Sequence, residues 1–566
     1  MKKTFVCLSA CALLAIGATS CQKENEQIND AEYQFTATME GCASTDAKTT
    51  YNGTNIQWNA NDTVMIYGLV PGRYVATPDA TNPASAKLRR LGGGVEFMGN
   101  EVVAIYPAAL ANSATSVSLP AEQVTVDGNL ISNFPMYAYT TDDNLAFKNL
   151  FGALKLHLQQ EGATVSRIVV TADREINGNF DIDNSGDAPV VSYVDGGSFT
   201  TTLVCTEPQD ISNGHDFFVT LPAGTYTNLT ISIQNAGYGV EKHSPAGASI
   251  TIQRSRYFTL GFRELDMPIP PDDGVWGLFS VSPTQQVWIA AGNLQFNRTI
   301  GTYMGADQEE WDGTWRIAEN QYDRCGWVNT NPYYGANSFE GNVEGGNNYN
   351  SANWIDLVAW AATGYNGLAA APRPSFSARS GYSNDTDPLY NVESIAGTNY
   401  DWGVYIIGDN WRTWTYAEFR FLTRQSGNAP MRTNRQGGAT VCGVPGLLLL
   451  PDIWNGPAIN TANAYTSNVY DAEAWAEMES YGAAFLPCTG YATSTLNVTS
   501  GHGGNFGAYW TATAAGYNTS NEHWKNAYVG TINGASTGNI TSTDNNEYRG
   551  MAAVRLVKNY VPVSEQ

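Results

Sequence analysis

At 566 residues the chain is too long for one hydrophobic core, and roughly 150 residues per domain gives about three or four. Its 53 acidic residues against 30 basic ones leave a formal net charge of −23, which repels a phosphate backbone and excludes nucleic acid as a partner. With 43% hydrophobic and 15% charged residues it has the composition of folded protein, and its wealth of Gly, Asn, Thr and Tyr favours short strands joined by turns.

In chain order, Lys2 and Lys3 open a positive region, and Val6 to Ile16 is an apolar run too short to span a bilayer. Residues 1–20 are therefore expected to be a signal peptide. The stretch Gly17-Ala18-Thr19-Ser20-Cys21 resembles a bacterial lipobox. That resemblance implies that Cys21 is lipidated and holds the mature chain to outer-membrane lipid. Residues 21–32 read as a tether. Within it, Gln22 to Gln27 resembles the surface-export signals of lipoproteins in fimbriated anaerobes, and reads equally as plain flexible chain. Beyond Cys21 the mature cysteines are Cys42, Cys205, Cys325, Cys442 and Cys488. Their odd number and irregular spacing are not a disulfide framework, although one bridge such as Cys442–Cys488 stays open.

Residues 30–267 read as β-structure almost throughout. Tyr33, Phe35, Ala37 and Met39 alternate with polar residues, the period of a half-buried strand. Asn55 to Tyr67 predicts two short strands around the turn Asn59-Ala60-Asn61-Asp62, and Phe147 to Leu158, Arg167 to Ala172 and Phe217 to Ile233 continue the pattern. Asp127-Gly128, Asn177-Gly178 and Asn213-Gly214 supply turns. This density of short strands predicts two stacked β-sandwiches, at 33–145 and 146–267.

Three segments in this order resemble the fimbrillin family: Trp58 to Tyr67, Phe147 to Leu156, and Arg167 to Val170 followed by Ile176 to Phe180. The resemblance covers residues 30–267. It implies two transthyretin-like β-sandwich domains, and assembly with other fimbrial subunits by donor-strand exchange after a protease cuts behind the first strand. An extended segment completing a sheet edge gains main-chain hydrogen bonds and side-chain pockets. Lys48 is the only basic residue between the first strand and the next, so it is either the processing site or a solvated loop lysine.

Pro268-Ile269-Pro270-Pro271-Asp272-Asp273-Gly274 reads as a stiff linker. Of fifteen tryptophans only Trp58 precedes it, so residues 275–560 form a domain of different character. Thr415-Tyr416-Ala417-Glu418 is a capping box opening a helix to about Arg424. Asp471 caps a second helix with Trp475 and Met478 on one face, stopped by Gly482. Gly446 to Leu450, Gly507 to Thr511 and Met551 to Val557 read as strands. The run Asn410 to Phe419, with Leu448 to Asp452, Phe485 to Pro487, Tyr509 to Thr511 and Arg549 to Val557, resembles the α+β fold shared by C-type lectins and formylglycine-generating enzymes. Thr413-Trp414 and Phe419 stand where that pattern has Leu-Pro and Trp.

Catalytic motifs are sparse. Gly534-Ala535-Ser536-Thr537-Gly538 fits G-x-S-x-G, but the polar, turn-rich stretch after it predicts a hairpin loop and not a nucleophile elbow. Formylglycine-generating chemistry relies on cysteines late in the domain, and none follows Cys488. Five histidines without metal spacing argue against zinc. Asp181 to Asp187 resembles the start of a calcium loop, yet Ser192 stands at its twelfth position, so an Asx-rich β-turn is the expectation. No enzyme, cofactor or metal is expected. Trp311, Trp315, Trp327, Tyr333, Tyr334 and Tyr349 lie in a Gly/Asn-rich stretch and are the candidate ligand-binding aromatics, whereas Trp354, Trp360, Trp402, Trp411 and Trp510 are expected in the core. The combined expectation is a mainly β N-terminal half with an α+β lectin-like C-terminal domain. It would act as a cell-surface fimbrial tip or accessory subunit that adheres to a host or bacterial glycan or protein. The alternative is a surface glycan-binding lipoprotein that never polymerises.

Overall fold

This computed structural model describes residues 33–44 (except 42), 57–92, 101–125, 134–297 (except 245–246), 302–303, 309–310, 315–324, 354–365 (except 364), 389, 392–423, 429–490, 506–515, 526–533, 541–547 and 551–561. The signal peptide, Cys21, the tether, Lys48, Trp311, Trp327, Tyr333, Tyr334 and Tyr349 lie outside the described residues. The fold is mainly β, as expected. The chain divides into two compact units. One holds the described residues up to Asn235 with Gly239–Met267; the other holds those from Pro268 onward with Ala236–Tyr238.

The first unit runs through β1 Tyr33–Met39, β2 Ala43–Ser44, β3 Thr63–Tyr67, β4 Gly72–Pro78, β5 Ser85–Arg90, β6 Val102–Tyr106, β7 Ala111–Ser113, β8 Ser116–Leu119 and β9 Glu122–Thr125. It continues with β10 Met136–Thr140, β11 Asn144–Asn149, β12 Gly152–Gln159, β13 Thr164–Thr171, β14 Gly178–Asp183, β15 Val190–Asp195 and β16 Thr200–Asp210. It ends with β17 His215–Leu221, β18 Gly224–Tyr226, β19 Thr230–Asn235, β20 Tyr238–His243, β21 Ile250–Ile252 and β22 Arg256–Arg263. Among the described residues, β1-β11-β10-β6-β3-β4-β5 closes into a barrel, with sheets β17-β12-β22-β2 and β20-β19-β13-β16-β9 built from the later strands. Alternation sets the barrel interior: Phe35 and Ala37 of β1, Val64 and Ile66 of β3, and Leu145 and Phe147 of β11 are buried, while the residues between them are less buried or exposed.

Two strand expectations are corrected. The turn Asn59 to Asp62 is present, with Asn61 at φ 74° and Asp62 Oδ2 accepting from Asn59 N at 2.8 Å, but residues 57–59 before it are not a strand. Trp58 is apolar there because it plugs the barrel, edge-on to Tyr106 at 5.1 Å and Phe147 at 5.5 Å. The continuous strand expected from Phe147 breaks at Leu150-Phe151, where both side chains enter the core. Gly152 is required at the break, since a Cβ there would meet Gln253 O at 2.2 Å.

In the second unit both expected helices form: α1 Tyr416–Leu422 and α2 Ala472–Ser480. Glu418 N donates to Thr415 Oγ1 and Thr415 N to Glu418 Oε2, completing the capping box. Asp471 Oδ1 accepts from Ala474 N, Trp475 and Met478 face inward, and Gly482 takes φ 86° just beyond the C-terminus. Short sheets surround these helices. Val444–Leu449, buried at every position, lies between Gln436–Val441 and Ala484–Pro487. Phe506–Ala515 pairs with Asn526–Asn533, which pairs with Thr541–Glu547. The strand expected from Met551 to Val557 is interrupted: Met551–Ala552 pairs with Val358–Ala359, Ala553 bridges to Tyr509, and pairing resumes at Leu556–Asn559 with other strands.

Candidate functional site: a closing strand and the slot it fills

β1 has partners on both sides. It pairs antiparallel with β5, Ala37 opposite Ala86, and parallel with β11, Thr36 opposite Asn144 through Met39 opposite Phe147. In the barrel order β1 is what joins β5 to β11. Phe35 packs edge-on to Tyr74 at 5.6 Å, and Tyr74 Oη donates to Gln34 Oε1 at 3.0 Å. Without β1, the facing edges of β5 and β11 would present unpaired N–H and C=O groups beside Leu88, Leu145 and Phe147, which is a template for another strand.

Just past β1 the chain is fastened a second time. Arg254 grips Glu40 with both terminal nitrogens, Nη1 to Oε2 at 2.7 Å and Nη2 to Oε1 at 3.1 Å, and Asn149 N donates to the same carboxylate at 2.8 Å. Burial alone would raise the Glu40 carboxyl; the hydrogen bonds from Arg254 and Asn149, with the guanidinium charge, outweigh it and hold the group below its ordinary value. Asn149 Nδ2 and Ser255 Oγ bind the carbonyl of Gly41 at 3.3 and 2.9 Å, and β2 then pairs parallel with β22. Residues 33–44 thus close the barrel and continue into the next sheet. Lys48 lies beyond Ser44, outside the described residues.

Glu40, Asn149, Arg254 and Ser255 were not readable from the sequence as a group. Glu40 and Arg254 are separated by 214 positions, and no local pattern links them.

Of the candidate ligand-binding aromatics, Trp315 is described. It is half-buried, edge-on to Phe296 at 4.9 Å, and packs against a core cluster. Trp360, Trp402, Trp411 and Trp510 are buried, and the ring nitrogens of Trp360 and Trp510 donate to Thr511 O and Val358 O. Trp354 departs from the core expectation. It is half-buried with the Arg316 guanidinium 3.9 Å from its ring centroid, a cation–π contact that rewards a partly exposed indole. Cys442 and Cys488 are not bridged: Cys488 Sγ donates to Tyr465 Oη at 3.1 Å, and Cys442 sits in a turn at φ 48° beside Tyr322. Asp181 and Asp183 lie in the hairpin β14–β15, where Asp183 Oδ1 accepts from Ser185 N at 2.9 Å, the Asx turn expected. Ser536 lies outside the described residues; the described segments on either side of it, Asn526–Asn533 and Thr541–Glu547, are antiparallel partners, with Ile532 opposite Thr541.

No family model and no curated protein matches the chain. Among solved structures, a candidate cell-adhesion protein from Bacteroides ovatus is similar over 42% of this chain and 95% of its own, at 9% identity and a TM-score of 0.28. Another of that description, from Bacteroides fragilis, is similar over 41% of this chain and 92% of its own, at 11% identity and a TM-score of 0.25. A fimbrial protein from Bacteroides ovatus covers 93% of this chain and 99% of its own length, at 7% identity and a TM-score of 0.21. Likeness at this level assigns neither family nor function.

Proposed function

We propose that the chain is a fimbrial tip or accessory subunit acting in cell adhesion. The observation that carries the reading is the position of β1, an N-terminal strand that closes a barrel between two other strands. A cut behind such a strand, with Lys48 the basic residue available, leaves a slot that the strand of a second subunit completes. Lipid on Cys21 would hold the uncut chain at the outer membrane. The C-terminal unit is read as lectin-like, a binding module and not an enzyme, presenting loops to a host or bacterial glycan or protein. A stalk subunit would gain nothing from so large an appended unit, which obstructs stacking.

The grip on Glu40 favours a second reading, a surface glycan-binding lipoprotein that keeps its own β1 and never polymerises. Immunogold microscopy of intact cells with an antibody against residues 275–566 separates the two. Gold at the distal ends of filaments supports the tip subunit. Gold scattered over the cell body beside bare filaments overturns it in favour of the lipoprotein.

A further inference from the structure

A second sheet edge of the first unit differs from the place that β1 fills, because it stands open. β15 is the outermost strand of the sheet β15-β14-β8-β7. Its pairing with β14 sets Val190 opposite Asp183, Val191 opposite Ile182, Ser192 opposite Asp181 and Tyr193 opposite Phe180, and a bulge ends the regular ladder there. Ile182 N donates to Thr115 O, so the main chain of Ile182 faces away from β15 and that of Asp181 and Asp183 faces it. Alternation then turns the N–H and C=O groups of Val191 and Tyr193 outward. Among the described residues no strand pairs with that outer edge. Edge strands are commonly guarded by lysine or proline, and Val190 to Tyr193 has neither.

The two faces of this edge differ in chemistry. On one, Val191 packs beside Phe180 and Ile182, and Tyr193 lies edge-on to Phe180 at 5.8 Å, so the core stops at a strand with room for another beside it. On the other, Val190 is 60% exposed, Ser192 is exposed, and the carboxylates of Asp181 and Asp183 stand one strand further in. The four strands of this sheet contain no lysine or arginine, and among the described residues no ion pair forms to either aspartate. Lys148 touches the hairpin, but at the Asp187 carbonyl.

We infer that the outer edge of β15 takes up an extended segment of another polypeptide, with apolar side chains beside Val191 and Tyr193 alternating with lysine or arginine beside Val190 and Ser192. The main chain supplies the ladder, and the apolar positions extend the core. An added strand lies about 10 Å from β14. A long cationic side chain spans that distance by crossing the short Ser192 side chain to Asp181. A second copy of this chain is the poorer occupant, since β15 against β15 gathers four carboxylates and no cation. The inference does not rest on the fimbrial reading.

The test uses the full chain and three synthetic peptides: acetyl-Lys-Val-Arg-Val-Lys-Val-amide, the same peptide with glutamate at every basic position, and the same peptide with proline at every valine. Fluorescence anisotropy reads affinity, and hydrogen–deuterium exchange mass spectrometry reads protection over residues 190–195. Saturable binding of the first peptide with slowed exchange at that segment is expected, with neither control bound. Ser192→Lys should weaken binding about tenfold by setting like charge against the partner. The double variant Asp181→Lys with Asp183→Lys should release the basic peptide and take up the glutamate one, an exchange that an unfolded chain would not show. Equal binding of the proline peptide reduces the contact to charge alone and overturns the proposal. So do protection confined to other segments, an unchanged affinity in Ser192→Lys, and protection of 190–195 that rises with chain concentration without peptide, which assigns the edge to a second copy.

Discussion

At the scale of single residues, Glu40 matters more than its place after a strand suggests. Its carboxylate takes two bonds from Arg254 and one from Asn149, so Glu40→Gln leaves a partly buried guanidinium with half its partner. Charge-assisted hydrogen bonds are worth about 1.5–3 kcal/mol, and the loss should read as about 2 kcal/mol in urea titrations of the full chain. The pH dependence has a fixed sign. Because the folded-state value lies below the ordinary 4.5, the contribution is fully present above that value and is lost as pH falls through the lower folded one. Wild type and Glu40→Gln should therefore converge in stability on acidification; a constant gap across that range would remove the carboxylate from the account. Cys205 and Cys488 give a second check. Burial pushes both thiols up to about 12, so neither should react with a thiol reagent at neutral pH until the chain unfolds. Residue roles of this kind were the least legible in the sequence. The Asn59 to Asp62 turn could be read because its chemistry is local, whereas the Glu40–Arg254 pair exists only once distant strands meet.

At the scale of elements, periodicity was informative wherever one face is buried. The alternation in Tyr33–Met39 gave β1 its span, and the caps at Thr415 and Asp471 placed both helices. Periodicity failed where apolar residues serve as plugs: Trp58, Leu150 and Phe151 are core side chains on non-strand backbone. Phe35→Ala should cost about 3–5 kcal/mol, because the ring fills the barrel against Tyr74 and a cavity remains. Thr415→Ala should cost about 1 kcal/mol by removing one half of the capping box. Chemical denaturation of the two variants checks both values. A Phe35→Ala loss no larger than that of Thr415→Ala would mean β1 adds little to the barrel.

At the scale of the whole molecule, the mainly β class and the change of character near residue 268 were legible from composition, because tryptophan and strand patterning are distributed so unevenly. Closure of the first sheet into a barrel was not, since sequence alternation records which face is buried and says nothing about which edges meet. A chain lacking residues 1–44 should bind a synthetic peptide of residues 31–44 and regain thermal stability, while the same peptide with Phe35→Ala should fail to restore it. The slot also carries an address. Because strand faces repeat every two residues, a segment taking the place of β1 must offer a bulky ring and then a small side chain at alternate inward positions, as Phe35 and Ala37 do. It must also run parallel to β11 and bring an N–H to every acceptor that β1 now serves, which excludes proline from the paired positions. Those requirements amount to a short search pattern, so the chain's own first strand is the template for recognising a natural replacement in any other sequence.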